Sequence, residues 1–241
     1  MRGLRRDIMA GLLVGLSGLA ITLGVLEFTP LDLAIQDLLY DPAAGAWLID
    51  AEAPVMRAIF YTGPRVALWI LAAALLGGLV AGFFRPAWRP YRRGLLYLLV
   101  CLMAVPAVAG ALKQATNVAC PSRIDRYGGD TPYVRLYEPA PASLAGQRFK
   151  CFPAGHASGG VALFGIGFLG LTRRRWIGFV PGLAAGLILG GYQMAKGAHY
   201  LSHTLVTLFG GLAICAILAA VMLRGWQWPT RASQDPRVRS D

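Results

Sequence analysis

The chain contains three histidines, His156, His199 and His203, and all of them fall in its second half, with Lys113 upstream and Lys196 among them. A neutral imidazole is a nucleophile and a general base, and its protonated form is a general acid. Lysine and arginine hold the non-bridging oxygens of a phosphate. Arg123, Arg126, Arg135, Arg148 and Lys150 add further cations between Lys113 and His156. Such a set is suited to gripping a phosphate and moving it. A plainer alternative is that the cations meet lipid headgroups and the histidines are interfacial polar residues. The confinement of every histidine in the chain to one region favours chemistry. His199 and His203, four residues apart, would also share one helix face and offer a metal pair with His156 as third ligand. No acidic residue sits in that motif, so neither a metal nor any other cofactor is expected.

These side chains must be positioned by membrane helices. Of 241 residues, 56% are hydrophobic and 15% charged, against about a quarter charged in soluble domains. Six stretches carry no charge: 9–26, 66–84, 95–112, 157–171, 176–195 and 204–223. Most approach the ~20 residues that cross a hydrocarbon core, and the fourth is short. The expectation is an all-α, polytopic membrane helical bundle of about six transmembrane helices, with a long outward loop between helices 3 and 4. It is a single membrane domain over 1–241: a first helix at 1–27, an outer segment at 28–65, five helices and the 113–156 outer loop within 66–223, and a tail at 224–241. The basic leader MRGLRR precedes an apolar run longer than a signal core, with no clear cleavage site, and reads as a retained helix.

The net charge of +11 is topological. With the N-terminus inside and six alternating spans, fourteen of the 23 basic residues flank helix ends on the cytoplasmic side. Nine of the twelve acids fall on the other side. A multi-pass protein of the cell (inner) membrane is expected, with both termini cytoplasmic. All three histidines, Lys113 and Lys196 then lie at the face toward the periplasm or exterior. Membrane lipids are the expected partners and nucleic acid is not; the pattern specifies no oligomeric state. In 28–65 the segment LDLAIQDLL places Leu31, Ala34, Ile35, Leu38 and Leu39 on one helical face, as in a short interfacial helix. Gly178, Gly182, Gly186 and Gly190 form a small-residue stripe for close helix packing. No carboxylate lies inside a span, which weighs against an ion-coupled transporter.

Three motifs carry a resemblance. Lys113 is followed after six residues by Cys120-Pro121; Phe152-Pro153-Ala154-Gly155-His156 comes next; then Gly197-Ala198-His199-Tyr200-Leu201-Ser202-His203. Their order, spacing and side resemble the type 2 phosphatidic acid phosphatase superfamily, related to vanadium haloperoxidases, with motifs K-x6-R-P, P-S-G-H and S-R-x5-H-x3-D. The resemblance covers roughly 95–215. It implies a metal-independent membrane phosphatase acting on a lipid phosphate or diphosphate through a phosphohistidine. His199 would attack phosphorus, His156 would protonate the leaving oxygen, and Lys113 would bind phosphate together with the Gly155 backbone. A lipid phosphotransferase and a non-catalytic lipid-phosphate binder or transporter are the alternatives.

The departures are specific. Cys120 stands for a motif arginine, and Arg123 is the expected substitute. Gln193 stands for another, with Lys196 one turn later. Ala154 replaces serine. His203 occupies the aspartate position that orients the nucleophile, so either His203 or a loop acid (Asp125, Asp130 or Glu138) must do this. Cys120 and Cys151 adjoin the first two motifs, and in an oxidising compartment a bridge between them would clamp Lys113 and His156 together. Cys101 and Cys215 lie inside spans and read as packing residues.

Overall fold

A long apolar segment in lipid must satisfy its own backbone hydrogen bonds, and a helix does so without partners. The structure, a computed structural model, describes residues 2–139, 141–144, 146–171, 174–226 and 228–229. Helix α1 (Arg2–Leu26) and the short α2 (Leu31–Asp37) lead into a small antiparallel ladder, β1 (Tyr40–Asp41) and β2 (Ala46–Trp47). Then come α3 (Pro54–Phe84), α4 (Arg92–Ala115), α5 (Gly155–Leu169), α6 (Val180–Ala195) and α7 (Leu201–Met222). Five of these helices, α1, α3, α4, α6 and α7, are long and apolar enough to cross a membrane. The expected sixth span is α5, which is shorter and broken by a 3-10 turn at Ala162–Phe164. The chain is thus a helical bundle, as expected.

Helix α3 begins well before the charge-free stretch that announced it. A charge-free window stops at Arg65, whereas the helix continues outward through Arg57 to Pro54. Two arginines placed by sequence in an outer segment therefore ride on a helix. A π-helical turn at Ala58–Thr62 re-aims the side chains on either side of it. The expected tail at 224–241 falls largely outside the described residues.

Helix α7 is the axis of the bundle, with α1 lying along one side and α4, α5 and α6 on the others. Its buried Leu208, Leu212, Cys215 and Ala216 pack with Tyr97, Cys101 and Val105 of α4 and Val161, Phe164 and Phe168 of α5. The Tyr97 hydroxyl donates to the Cys215 carbonyl at 2.9 Å. The glycine stripe of α6 does what its spacing implies. A Cβ at Gly186 would lie 2.6 Å from Leu208 Cδ1, and one at Gly190 would lie 2.2 Å from Thr204 Cγ2. Only hydrogen fits there, which lets α6 and α7 approach closely.

The short amphipathic helix expected here forms as α2, with Leu31, Ala34 and Leu38 exposed and Asp32 and Gln36 buried. Its buried polar pair faces the start of α7 and the end of α6. Tyr200, at the N-cap of α7, makes no side-chain cap; instead Asp32 Oδ1 accepts the Ser202 N–H at 2.9 Å. A carboxylate also complements the positive end of the helix dipole. Burial pushes the Asp32 carboxyl up from its ordinary range, and bonds from Ser202 and Leu201 partly oppose this. Asp37 anchors the outer loop by accepting two bonds from Arg126, both 2.8 Å, and one from the Tyr127 hydroxyl at 2.9 Å.

Removing the borrowed cap should loosen α7 first. Asp32→Ala is expected to destabilise the protein in detergent by about 1–2 kcal/mol, the ordinary worth of an N-cap. Thermal unfolding measures this, and an unchanged midpoint would show that the cap is dispensable.

Candidate functional site

The site is assembled around the turn between α6 and α7. The Gln193 carbonyl accepts the N–H groups of Ala198 (2.8 Å) and His199 (3.3 Å), and Gly197 N–H reaches the Met194 carbonyl at 2.9 Å. Gly197 takes a left-handed φ of 71°, the usual way for a helix to end. Trp47 lies flush on it: a Cβ there would fall 2.2 Å from Trp47 Cε2. His199 emerges directly after this turn, and His203 follows in the first turn of α7. The two rings meet, with Nδ1 of His199 3.4 Å from Nδ1 of His203. Phe152 and Tyr200 close around His203 edge-on, each with ring centroids 5.1 Å away.

The other two motifs are stitched to this pair. Cys120 and Cys151 form a disulfide with Cα atoms 5.3 Å apart. The Cys151 sulfur lies 3.5 Å from His199 Nδ1. Ala154 N–H donates to the His203 carbonyl at 3.2 Å, and Thr207 Oγ1 lies 2.9 Å from that carbonyl and 3.2 Å from that of Ala154. Thr116, just past α4, donates to the Phe152 carbonyl at 2.7 Å. The ends of α4, α5 and α6 and the start of α7 are therefore fixed to one another.

Beside this lies a cavity of about 680 Å³ between α3, α4 and α5. Arg65, Lys113, His156 and Tyr61 line the end nearest the histidines; Leu68, Trp69, Leu99, Leu102, Met103 and Pro106 line the rest. From Lys113 to Leu99 along α4 is roughly 20 Å at 1.5 Å per residue, so the cavity runs along the helix axes. Trp69 and Met103 are 68% and 66% exposed, so its wall opens sideways between α3 and α4. The His156 ring lies tilted against that of Tyr61, with centroids 4.2 Å apart and an interplanar angle of 39°. Lys113 lies over Gly155, where a Cβ would come within 2.9 Å of its Cε. Lys196 Nζ sits 5.1 Å from the Tyr192 ring and 5.8 Å from that of Tyr61. The charges of Lys196, Lys113 and Arg65 all bear on His156. Among the described residues no carboxylate forms an ion pair with Arg65, Lys113 or Lys196. A cationic group of this kind wants an anion.

The structure brings several of the sequence-predicted residues together and leaves one apart. Lys113, Gly155 and His156 line the cavity; Lys196 stands beside it; His199 and His203, 4% and 2% exposed, lie behind it with the disulfide. Arg123 is exposed on a 3-10 turn and does not line the cavity. The loop acids that could have oriented His199 are occupied elsewhere. Glu138 pairs with Arg135 at 3.6 Å, Asp125 accepts the Arg126 N–H, and Asp130 accepts the Thr131 hydroxyl. The group on His199 Nδ1 is His203. Sequence reasoning missed Arg65 and Tyr61, whose signal was a cation and an aromatic just before an apolar run. His156 does not join the other two histidines as a metal ligand set.

Electrostatics favour a neutral His199. Burial first, then His203 and the charges of Lys113, His156 and Lys196, hold its pKa well below the ordinary histidine range. Two neutral rings meeting Nδ1 to Nδ1 share one proton, so one donates and the other accepts.

The bridge is directly checkable. Alkylation of the unfolded chain without reductant should label two thiols, Cys101 and Cys215, and reduction should expose the other pair. Equal mass shifts in both conditions would contradict it.

A family model described as the PAP2 superfamily matches residues 94–227, a span holding all three motifs and α5 to α7 complete. No curated protein and no solved structure matches the chain.

Proposed function

Because this chain belongs to the PAP2 superfamily, whose members are generally phosphatases, we propose that it hydrolyses a lipid phosphate or diphosphate at the outer face of the membrane, through a phosphohistidine. The observation that carries this reading is the cavity, whose end nearest the histidines is cationic and whose long apolar remainder opens sideways. A phosphate headgroup suits the first and a hydrocarbon chain the second.

In this reading Arg65, Lys113 and Lys196 hold the non-bridging oxygens with the Gly155 N–H. Arg65 takes the grip that the motif pattern led one to expect of Arg123. Nε2 of His199 attacks phosphorus, and His156, which takes up a proton once the bound phosphate anion offsets the charges of Lys196, Lys113 and Arg65, delivers it to the leaving oxygen. Water, deprotonated by His156, then breaks the P–N bond. His203 acts by fixing a tautomer: when His199 Nδ1–H donates to Nδ1 of His203, the lone pair of His199 stays on Nε2. The proton of His203 then sits on its other nitrogen, and the Cys151 carbonyl beside His203 is an available acceptor. Without an aspartate, the positive charge arising on His199 during attack is shared only through this hydrogen bond. None of these steps calls on a metal ion.

Phosphate release from a panel of lipid phosphates and diphosphates in detergent micelles tests the proposal. His156→Ala and His199→Ala should each lower kcat by at least about 100-fold, the lower range for positioned acid–base groups. Activity surviving in both would sink the mechanism. Arg65→Ala should lower kcat/KM by about 10–100-fold, corresponding to one charge-assisted contact, whereas Arg123→Ala should change it little.

The pH profile follows from the neutral His199. A histidine held below its ordinary pKa of about 6.5 stays unprotonated, and so nucleophilic, as pH falls through that value. After correction for ionisation of the substrate, the acid limb of kcat/KM assigned to His199 should lie below pH ~6.5. A limb at or above that value would mean that His199 is solvated or ion-paired.

A further inference from the structure

The phosphatase reading uses His199 as the nucleophile and His203 as the group that fixes its tautomer, but their surroundings have a second capacity. Among the described residues, the ligand atoms of Cys151, His199 and His203 all lie within 4.8 Å of one another, and all three residues are buried. Nδ1 of His199 is 3.4 Å from Nδ1 of His203 and 3.5 Å from the Cys151 sulfur. A tetrahedral zinc ion, with Zn–N of about 2.0–2.1 Å and Zn–S of about 2.3 Å, separates its ligand atoms by roughly 3.3–3.4 Å (N to N) and roughly 3.5–3.6 Å (N to S). Two edges of that tetrahedron are already present. What is missing is a thiolate, because Cys151 is bonded to Cys120.

We propose that reduction of the Cys120–Cys151 bridge turns this cluster into a two-cysteine, two-histidine site for a zinc-type divalent cation. The proposal rests on the phosphatase reading only for its consequence, which is that the metal removes both histidines from the reaction. The chemistry balances with a dithiol as reductant. Its thiolate attacks the sulfur of Cys120, which is partly exposed, and the Cys151 thiolate leaves. The second thiol of the reagent displaces Cys120 and closes a cyclic disulfide, so two electrons and two protons pass to the protein. Binding of the cation then releases both thiol protons to solvent. Two thiolates and two neutral imidazoles leave the bound cation with no net charge. This matters in a buried place already under the positive charge of Lys113. Soft sulfur with imidazole nitrogen selects zinc over calcium or magnesium. His156 stays outside, against Tyr61.

The test uses full-length protein in detergent, stripped of metal, in three forms: oxidised, reduced with a dithiol and desalted without oxygen, and Cys120→Ser. Each is equilibrated with Co2+ or Zn2+ and analysed for bound metal and for cobalt absorption. Reduced wild type should bind about one ion per chain with a sulfur-to-cobalt charge-transfer band, and oxidised wild type none. Cys120→Ser, whose Cys151 is free without reductant, should bind without reduction but more weakly, with one thiolate in place of two. The band should be absent from the Cys120→Ser/Cys151→Ser double variant and metal uptake diminished in His203→Ala. Equal uptake by oxidised and reduced wild type would overturn the proposal, as would no uptake by the reduced form or a charge-transfer band persisting in the double variant. The oxidised–reduced comparison needs no variant, so misfolding of a mutant leaves it decisive. Metal content is read without phosphate release, so failure of the phosphatase reading would be seen separately.

Discussion

Several segments that lie far apart in sequence are fastened to the turn between α6 and α7. The carbonyls of Ala195 and Gly197 accept N–H groups from Ile49 and Ser122, at 3.0 and 2.9 Å, while Gln193 holds the backbone of His199. Trp47 covers Gly197, and Asp32 caps the helix that begins just beyond. These contacts come from segments far apart in sequence, and several lie outside the family-matched region. They share one purpose. A histidine at the end of a membrane helix would otherwise sit on a fraying terminus, free to rotate. Here its backbone, its ring and the ring of its partner are each fixed from a different direction, so the geometry of the pair is set before any ligand arrives.

The cavity divides labour along its length. In lipid, apolar walls gain little from burying one another, so a groove between helices persists most easily when something amphipathic fits it. The cationic end lies at the level of the helix termini, with Lys113 in the last turn of α4 and His156 at the start of α5. Tyr61, placed by the π-turn of α3, joins the two regimes: it lies against His156 and under Lys196 and Arg57. Cation–π contact steadies those side chains without neutralising them, as a carboxylate would, and so leaves their charge for a ligand.

How much of this could be read in the sequence depended on what each signal measures. Absence of charge located the membrane helices well, because a buried charge in lipid is expensive and the signal is strong. It misplaced the start of α3, because a helix does not end where the hydrocarbon does. Arg65 was lost for that reason. Motif spacing singled out His156, His199, Lys113 and the bridged cysteines, which the fold brings together because those positions are fixed relative to helix ends. It could not tell that Arg123 would lie exposed on its turn, or that Arg126 would be taken by Asp37, because loop paths are decided by distant contacts. The amphipathicity of α2 was correct in kind, yet the important residues were the two polar ones on its hidden side, Asp32 and Gln36.

The departures from the family pattern make sense together. Cys120, Gln193 and His203 all replace charged residues, and all three belong to the immediate surroundings of His199. Gln193 holds its backbone, His203 meets its ring, and Cys120 is bridged to the sulfur that touches it. The cations Lys196, Lys113 and Arg65 gather about His156, and Lys113 and Lys196 bear on His199 only from beyond these immediate contacts. Removing the aspartate alone would have left a buried nucleophile facing arginines with nothing to offset them. Removing the arginines alone would have left a buried carboxylate without a counter-ion. Losing both together keeps the shell around His199 uncharged, at a smaller desolvation cost than a half-paired set. In the proposed function the phosphate grip then has to come from elsewhere, and Arg65 of α3 is the residue assigned to it. In the proposed reaction this exchanges electrostatic support for the attacking ring for a stronger hold on the anion. It also leaves beside His199 the neutral nitrogen and sulfur ligands that a soft metal ion prefers.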